Sequence, residues 1–355
     1  MVQISVNVMC QTNHCRTNMK LSSKLPLSHT AFAHWHTDDT EVGVVIAKVA
    51  FSLTKDGTSP VTPPPEFVLA DEFMDAPENS PLLHEQDIAP FKPKTDLILR
   101  GAARSFEAKP RRDWAVTVTI PDQLHYGFHV RGPSRWIKMR RGWELSQADE
   151  VTEVPLTYTL AYGGHCQEGE TTEYFEQNPA GLGFMTETAA DAVDGWPAPQ
   201  IGLLAEFLDA RPFEPMAVHG TMPLAKAWLP RRAKAGTFDK DWERDRHPRM
   251  PLDYDLAFWN AAPLRLQIAP HMVGNENIEI SGVSHRRETV SLRLPGAKLA
   301  LKSLSSPSEP AVAMALDTVD IDVERIDDDQ IDIVLLWRII VPDRSLYTNA
   351  EIIRG

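Results

Sequence analysis

The sequence predicts a mainly β protein, an antiparallel sandwich or two packed sheets, with a loop-rich middle insertion that carries short helices. Three observations lead there. The chain holds 28 prolines, and proline breaks helix interiors and central strands, so the elements must be many and short, which excludes a long-helix bundle. Apolar residues recur with period two near both ends, the spacing of half-buried strands. Between Gly163 and Pro263 that alternation stops and short Gly-, Pro-, Trp- and Asn-containing motifs take over.

In chain order, Val2, Ile4, Val6 and Val8 share one face of a first strand, and residues 42–53 form a β-branched, nearly continuous apolar run that reads as a buried strand. Residues 58–93, with Pro63-Pro64-Pro65 and several acidic positions, read as an extended excursion over the surface, suited to offering an edge strand or extended segment to a partner. Strands are expected to resume at 96–102, 114–120, 125–130 and 151–161. In the middle, 203–208 and 222–229 are helix-compatible. From Leu264 the alternation returns at Leu264-Leu266-Ile268, Ile278-Ile280, Val290-Leu292-Leu294, Ala313-Ala315, Val319-Ile321-Val323 and 331–341. With 355 residues and no fixed-period repeat, a single large domain is expected, strand-rich over 1–162 and 264–355 and irregular over 163–263.

Composition narrows the function. Hydrophobic residues at 43% and charged residues at 24% supply an ordinary globular core. A formal charge of −13 opposes binding to phosphate backbones, so nucleic acid is not expected as a partner. No apolar run reaches the roughly 18 residues of a membrane span, and the start lacks a basic, then apolar, leader. A cytoplasmic protein with no membrane partner is therefore expected. Cys10, Cys15 and Cys166 are an odd set without a disulfide pattern and read as free thiols.

The most unusual run is Gly236-Thr237-Phe238-Asp239-Lys240-Asp241-Trp242, continuing through Arg246 and Pro248 to Pro251-Leu252-Asp253-Tyr254-Asp255, Phe258 and Asn260-Ala261-Ala262-Pro263. Thr237 or Asp239 is placed to cap a short helix carrying Trp242, which Pro248 and Pro251 end. This stretch resembles the signature of a bacterial family known as domain of unknown function 2169, found beside type VI secretion components and associated with effector loading. The resemblance runs along the chain in the family's order: Asp96 to Ala103 with Arg100 and Gly101; Val130, Gly132, Arg135 and Trp136; Ala161 and Tyr162 with Gly163 and Gly164; Asn178, Pro179, Gly181 and Gly183. Pro197 to Ile201, Gly274 to Glu276, Leu294 to Gly296, Leu316 to Val319 with Asp317, and Leu335 to Arg338 with Trp337 complete it. Pro133 and Asn275 depart from the family pattern at two turns. The resemblance implies an adaptor or chaperone that holds a secreted effector and helps place it on the spike protein, without chemistry or a cofactor of its own. Within the matching blocks, Gly236, Thr237, Asp239, Trp242, Asp253 and Asp255 form the signature.

Large aromatic and arginine side chains are the natural partner contacts, which singles out Trp228, Trp242, Tyr254, Phe258, Trp259 and Arg338. The same residues would also build a core, and Trp337-Arg338 reads equally as an interior tryptophan beside a snorkelling arginine. Signals for chemistry are weaker. His34 and His36 with Asp38 and Asp39, His125 and His129, and Cys10, His14 and Cys15 each lack the third or fourth ligand a metal needs. The acidic tract 317–329 lacks the glycine of a calcium loop. No nucleophile elbow, zincin helix or phosphate loop occurs, and Gly181-Leu182-Gly183 lacks a third glycine and reads as a turn. No metal is expected. The alternatives to an effector adaptor are a hydrolase or metal enzyme with an unrecognised site and a carbohydrate-binding β-sandwich.

Overall fold

A computed structural model describes residues 19–77, 80–187, 194–208, 211 and 213–355. The alternation at Val2 to Val8 and the Cys10, His14 and Cys15 group lie outside the described residues. The rest is mainly β. The 42–53 run forms the strand Glu41–Thr54, which pairs antiparallel along twelve residues with Gln330–Val341. Ser28–Trp35 flanks it on one side. On the other, Ala315–Asp322 pairs antiparallel with Gln330–Val341 and parallel with Thr95–Arg100. This large sheet is thus mixed rather than purely antiparallel, because Thr95–Arg100 is reached by a long crossover rather than a hairpin.

A second sheet, antiparallel throughout, orders Ile201–Gly202, Leu124–Arg131, Asp113–Ile120, Asn277–Ser281 and Thr289–Arg293. A third joins Lys20–Ser23, Asn349–Arg354, Leu299–Ser303 and Val312–Ala313. Alternation explains how they pack: Val45, Ala47, Val49, Leu97, Leu99, Ile333, Leu335 and Trp337 meet Val116, Val118, Phe128, Ile278 and Ile280 in one continuous core. The middle segment contributes Met222, Leu224, Ala225 and Trp228 to that core, so it is stitched into the body.

Some expected elements are shorter or different. The 151–161 strand reduces to Glu153–Pro155 followed by a 3-10 turn at Tyr158–Leu160, whose Tyr158 hydroxyl donates to the Met222 carbonyl. Residues 222–228 are irregular and the helix starts later, at Leu229–Arg232, since Leu224 N–H bonds the Ala261 carbonyl instead of a helical partner. Leu264–Leu266 is a 3-10 turn before the two-residue strand Gln267–Ile268. Helix Leu204–Leu208 forms as expected.

Candidate functional site

The opposite face of the large sheet carries Val42, Val44, Ile46 and Lys48 on one strand and Val334, Leu336 and Arg338 on its neighbour. Residues 61–77 and 80–93 lie across this face as a strap, with Phe67 and Ile88 packed on Val44, Ile46 and Leu336 and with Leu82 and Ala89 buried. The excursion read from sequence as extended over the surface is pinned along its inner side to the protein's own sheet. Under it runs a chain of buried charges, each already paired, as burial of an ion demands. Lys48 reaches the Asp87 carboxylate at 2.7 Å and the Glu66 carbonyl at 2.9 Å. Lys92 is 2.9 Å from both Glu85 and Asp96. Arg231 donates to Glu85 at 2.6 Å, and Lys226 holds Asp71 at 2.7 Å. Arg338 pairs with Asp317 at 2.5 Å and donates to the Asp87 and Ala89 carbonyls of the strap. Arg100 grips Asp320 in bidentate fashion and donates to the Leu83 carbonyl.

A half-open cavity of about 310 Å³ lies beside this network, between the strap and the sheet, with His84, Arg100, Asp320, Asp322 and Asp332 on its wall. Burial would raise the Glu85 carboxyl, but Arg231, Lys92 and Lys226 outweigh it and hold it at about 2. Burial would lower the Lys92 ammonium, but Asp96, Glu85 and Asp317 raise it well above the ordinary lysine value. Burial and then Arg100 push the His84 imidazole on the cavity wall below its ordinary value. Lys92 ties the strap to Asp96 of the sheet, and Glu85 ties it to Arg231 of the middle segment. Among the described residues no His, Cys, Asp and Glu group has a metal-binding arrangement.

Blocks far apart in sequence meet physically. Asp96 accepts from the Asn260 side chain and from the Ala261 and Ala262 N–H groups, so the first block locks the last residues of the signature. Gly101 joins Thr95–Arg100 to Ala102–Arg104, and Trp337 is an interior residue of the large sheet. The buried Asn178 amide donates to the Tyr158 and Tyr162 carbonyls, while Gly164 N–H donates to the Asn178 carbonyl. Short strands Tyr162–Gly163 and Leu182–Gly183 run parallel beside it, with Pro179 in the intervening turn. The glycines follow from closeness: a Cβ at Gly163 would stand 2.2 Å from the Asn178 carbonyl oxygen, and one at Gly181 2.4 Å from the Asn178 amide nitrogen.

The signature from Gly236 to Asp255 builds a largely exposed knob. Asp239 caps the helix Lys240–Asp245 by accepting from Trp242 N–H at 2.8 Å. Thr237 instead clasps Asp253 through its N–H and hydroxyl, beside Gly236, and Asp255 caps the turn Leu256–Trp259. Trp242 donates its indole N–H to the Arg249 carbonyl and packs edge-on against Phe238 at 4.7 Å. Arg246 forks onto Asp39, and Arg249 lies over Trp35, which fastens the knob to the turn after Ser28–Trp35. Phe238 stays 39% exposed and Leu252 84% exposed on either side of the clasp.

Trp228, Phe258, Trp259 and Arg338, expected as partner contacts, are 2%, 7%, 3% and 3% exposed. They are corrected to interior residues: Trp228 packs edge-on against Tyr158, and Phe258 on Trp259, and both aromatic pairs are sealed beneath the surface. Trp242 and Tyr254 are half-buried. Sequence reading missed Lys48, Glu85, Asp87, Lys92 and Asp320. Lys48 carried a signal, since a lone charge in an otherwise apolar buried strand requires a counter-ion. His125 and His129 share the solvent face of Leu124–Arg131 as expected, His125 bonded to Thr119.

No curated protein and no solved structure matches this chain. A family model described as an uncharacterized protein conserved in bacteria, domain of unknown function 2169, matches residues 38–338, and the chain belongs to that family.

Proposed function

We propose that this family member is a type VI secretion accessory protein that binds and stabilises a cognate effector in the cytoplasm and helps load it on the secretion spike. The observation that supports this reading is the knob. Phe238, Trp242 and Leu252 offer aromatic and aliphatic area on a scaffold fixed by the Thr237–Asp253 clasp and the Arg246–Asp39 fork, so little side-chain freedom is lost on binding. The buried charges favour a binder as well, because their partners within the chain consume them in holding the strap.

The test is co-expression with effector candidates encoded beside the gene, followed by co-purification at moderate salt. A stoichiometric complex with one of them is expected. If no neighbour co-purifies and effector levels are unchanged when the protein is removed, the reading fails.

A further inference from the structure

A second surface lies away from the knob. Arg135–Met139 and Gly142–Leu145 form a hairpin firmly held along one face: Trp136 is buried, Trp143, beside the turn, packs edge-on against Phe213 at 6.1 Å, the Arg135 guanidinium donates to the Gly195 carbonyl, and Lys138 N–H donates to the Asp194 carboxylate at 2.9 Å. Its other face and its turn are different. Ile137 and Met139, on one face by alternation, are 39% and 51% exposed. Arg140 and Arg141 at the turn are exposed, and no carboxylate pairs with either among the described residues. Residues 135–145 carry Arg135, Lys138, Arg140 and Arg141 against Glu144, with the Asp194 carboxylate beside Lys138, on a chain whose formal charge is −13.

We infer that this hairpin is a docking finger for an acidic protein surface with an apolar centre. The local sign is inverted relative to the chain, so it steers acidic partners and repels copies of its own chain. Methionine and arginine are also the residue types enriched where proteins meet. The proposal goes beyond the adaptor reading, because it fixes the partner's surface chemistry whatever the partner's cellular role.

A photoreactive amino acid placed in turn at positions 137 and 139 tests it in the bacterium that carries the protein. The expected result is a protein adduct through an acidic peptide. Charge reversal by R140E/R141E should reduce its yield at least about tenfold, and lysines in place of the acidic residues of the captured peptide should restore it. The neutral pair R140Q/R141Q should fall between, and unchanged thermal melts show that the variants fold. Adducts only to nucleic acid or lipid, no adduct, or a yield indifferent to charge reversal would each overturn the finger. An effector that co-purifies while the finger captures nothing sinks this inference alone. A finger adduct to a protein that is never secreted sustains it while counting against the adaptor reading.

Discussion

Replacing Lys92 with methionine removes the ammonium at the centre of the buried network. Its Nζ lies 2.9 Å from Glu85 and from Asp96 and 3.3 Å from the Thr318 hydroxyl, with all three groups buried. Taking one partner out of a buried ion pair costs about 3–5 kcal/mol. Here Glu85 keeps Arg231, and Asp96 keeps Asn260 and two backbone N–H donors, so the expected loss is at the lower end, about 3 kcal/mol. The pH dependence has a definite sign. Glu85 sits at about 2 in the folded state against an ordinary 4.5, so its contribution is present above 4.5 and fades as pH falls from 4.5 toward 2. Lys92 is raised above its ordinary value, so its contribution is complete throughout this acidic window and is lost only in strong base. In K92M the Glu85 carboxyl rises and has less to lose. Urea unfolding at a series of pH values should therefore show a gap between wild type and K92M that is widest near pH 7 and narrows below pH 4.5. A loss under about 1 kcal/mol at pH 7, or a gap constant with pH, would refute the network as a stabilising device.

Three further outcomes follow from the geometry. Gly163→Ala forces a Cβ to within 2.2 Å of the Asn178 carbonyl at a φ of +147°, and should cost more than about 3 kcal/mol in denaturant unfolding, whereas an effect under about 1 kcal/mol would contradict the close packing. Burial and then His36 push the His34 imidazole down to about 4 from 6.5, so its neutral form stabilises above pH 6.5 and that stability is lost as pH falls toward 4. H34Q should flatten the stability profile between pH 6.5 and 5, and an unchanged slope would count against this. The exposed pair F238S/L252S should lower effector co-purification at least about tenfold while altering stability by less than about 1 kcal/mol, and undiminished capture would remove the knob from the interface.

How much was legible in the sequence depends on where the signal resides. The continuous β-branched run Val42 to Leu53 and the period-two run Val290 to Leu294 carry their own evidence, because a strand buried on both faces is apolar throughout and a half-buried one alternates residue by residue. The parallel pairing of Thr95–Arg100 with Ala315–Asp322 joins positions some 220 residues apart, and no local pattern encodes it. The family-like blocks pointed to positions that matter, yet most prove to matter for folding: Asn178 and Gly163 pack one loop, Asp96 locks Asn260, and Arg338 holds Asp317 and the strap. Aromatic identity alone misdirected the search for contacts. Trp228, Phe258 and Trp259 have the composition of an interface and the burial of a core, and only the fold separates the two. The anchoring of the proline-rich excursion was illegible for a related reason, since its anchors are single residues, Phe67, Leu82 and Ala89, without periodicity.

The most direct test of effector delivery is secretion of the cognate effector measured in a strain lacking this protein, complemented with either the wild type or F238S/L252S. Cellular effector level and secreted effector should both fall on removal, return with the wild type, and stay low with the knob variant. Effector that is equally abundant and equally secreted in all these strains would contradict the account.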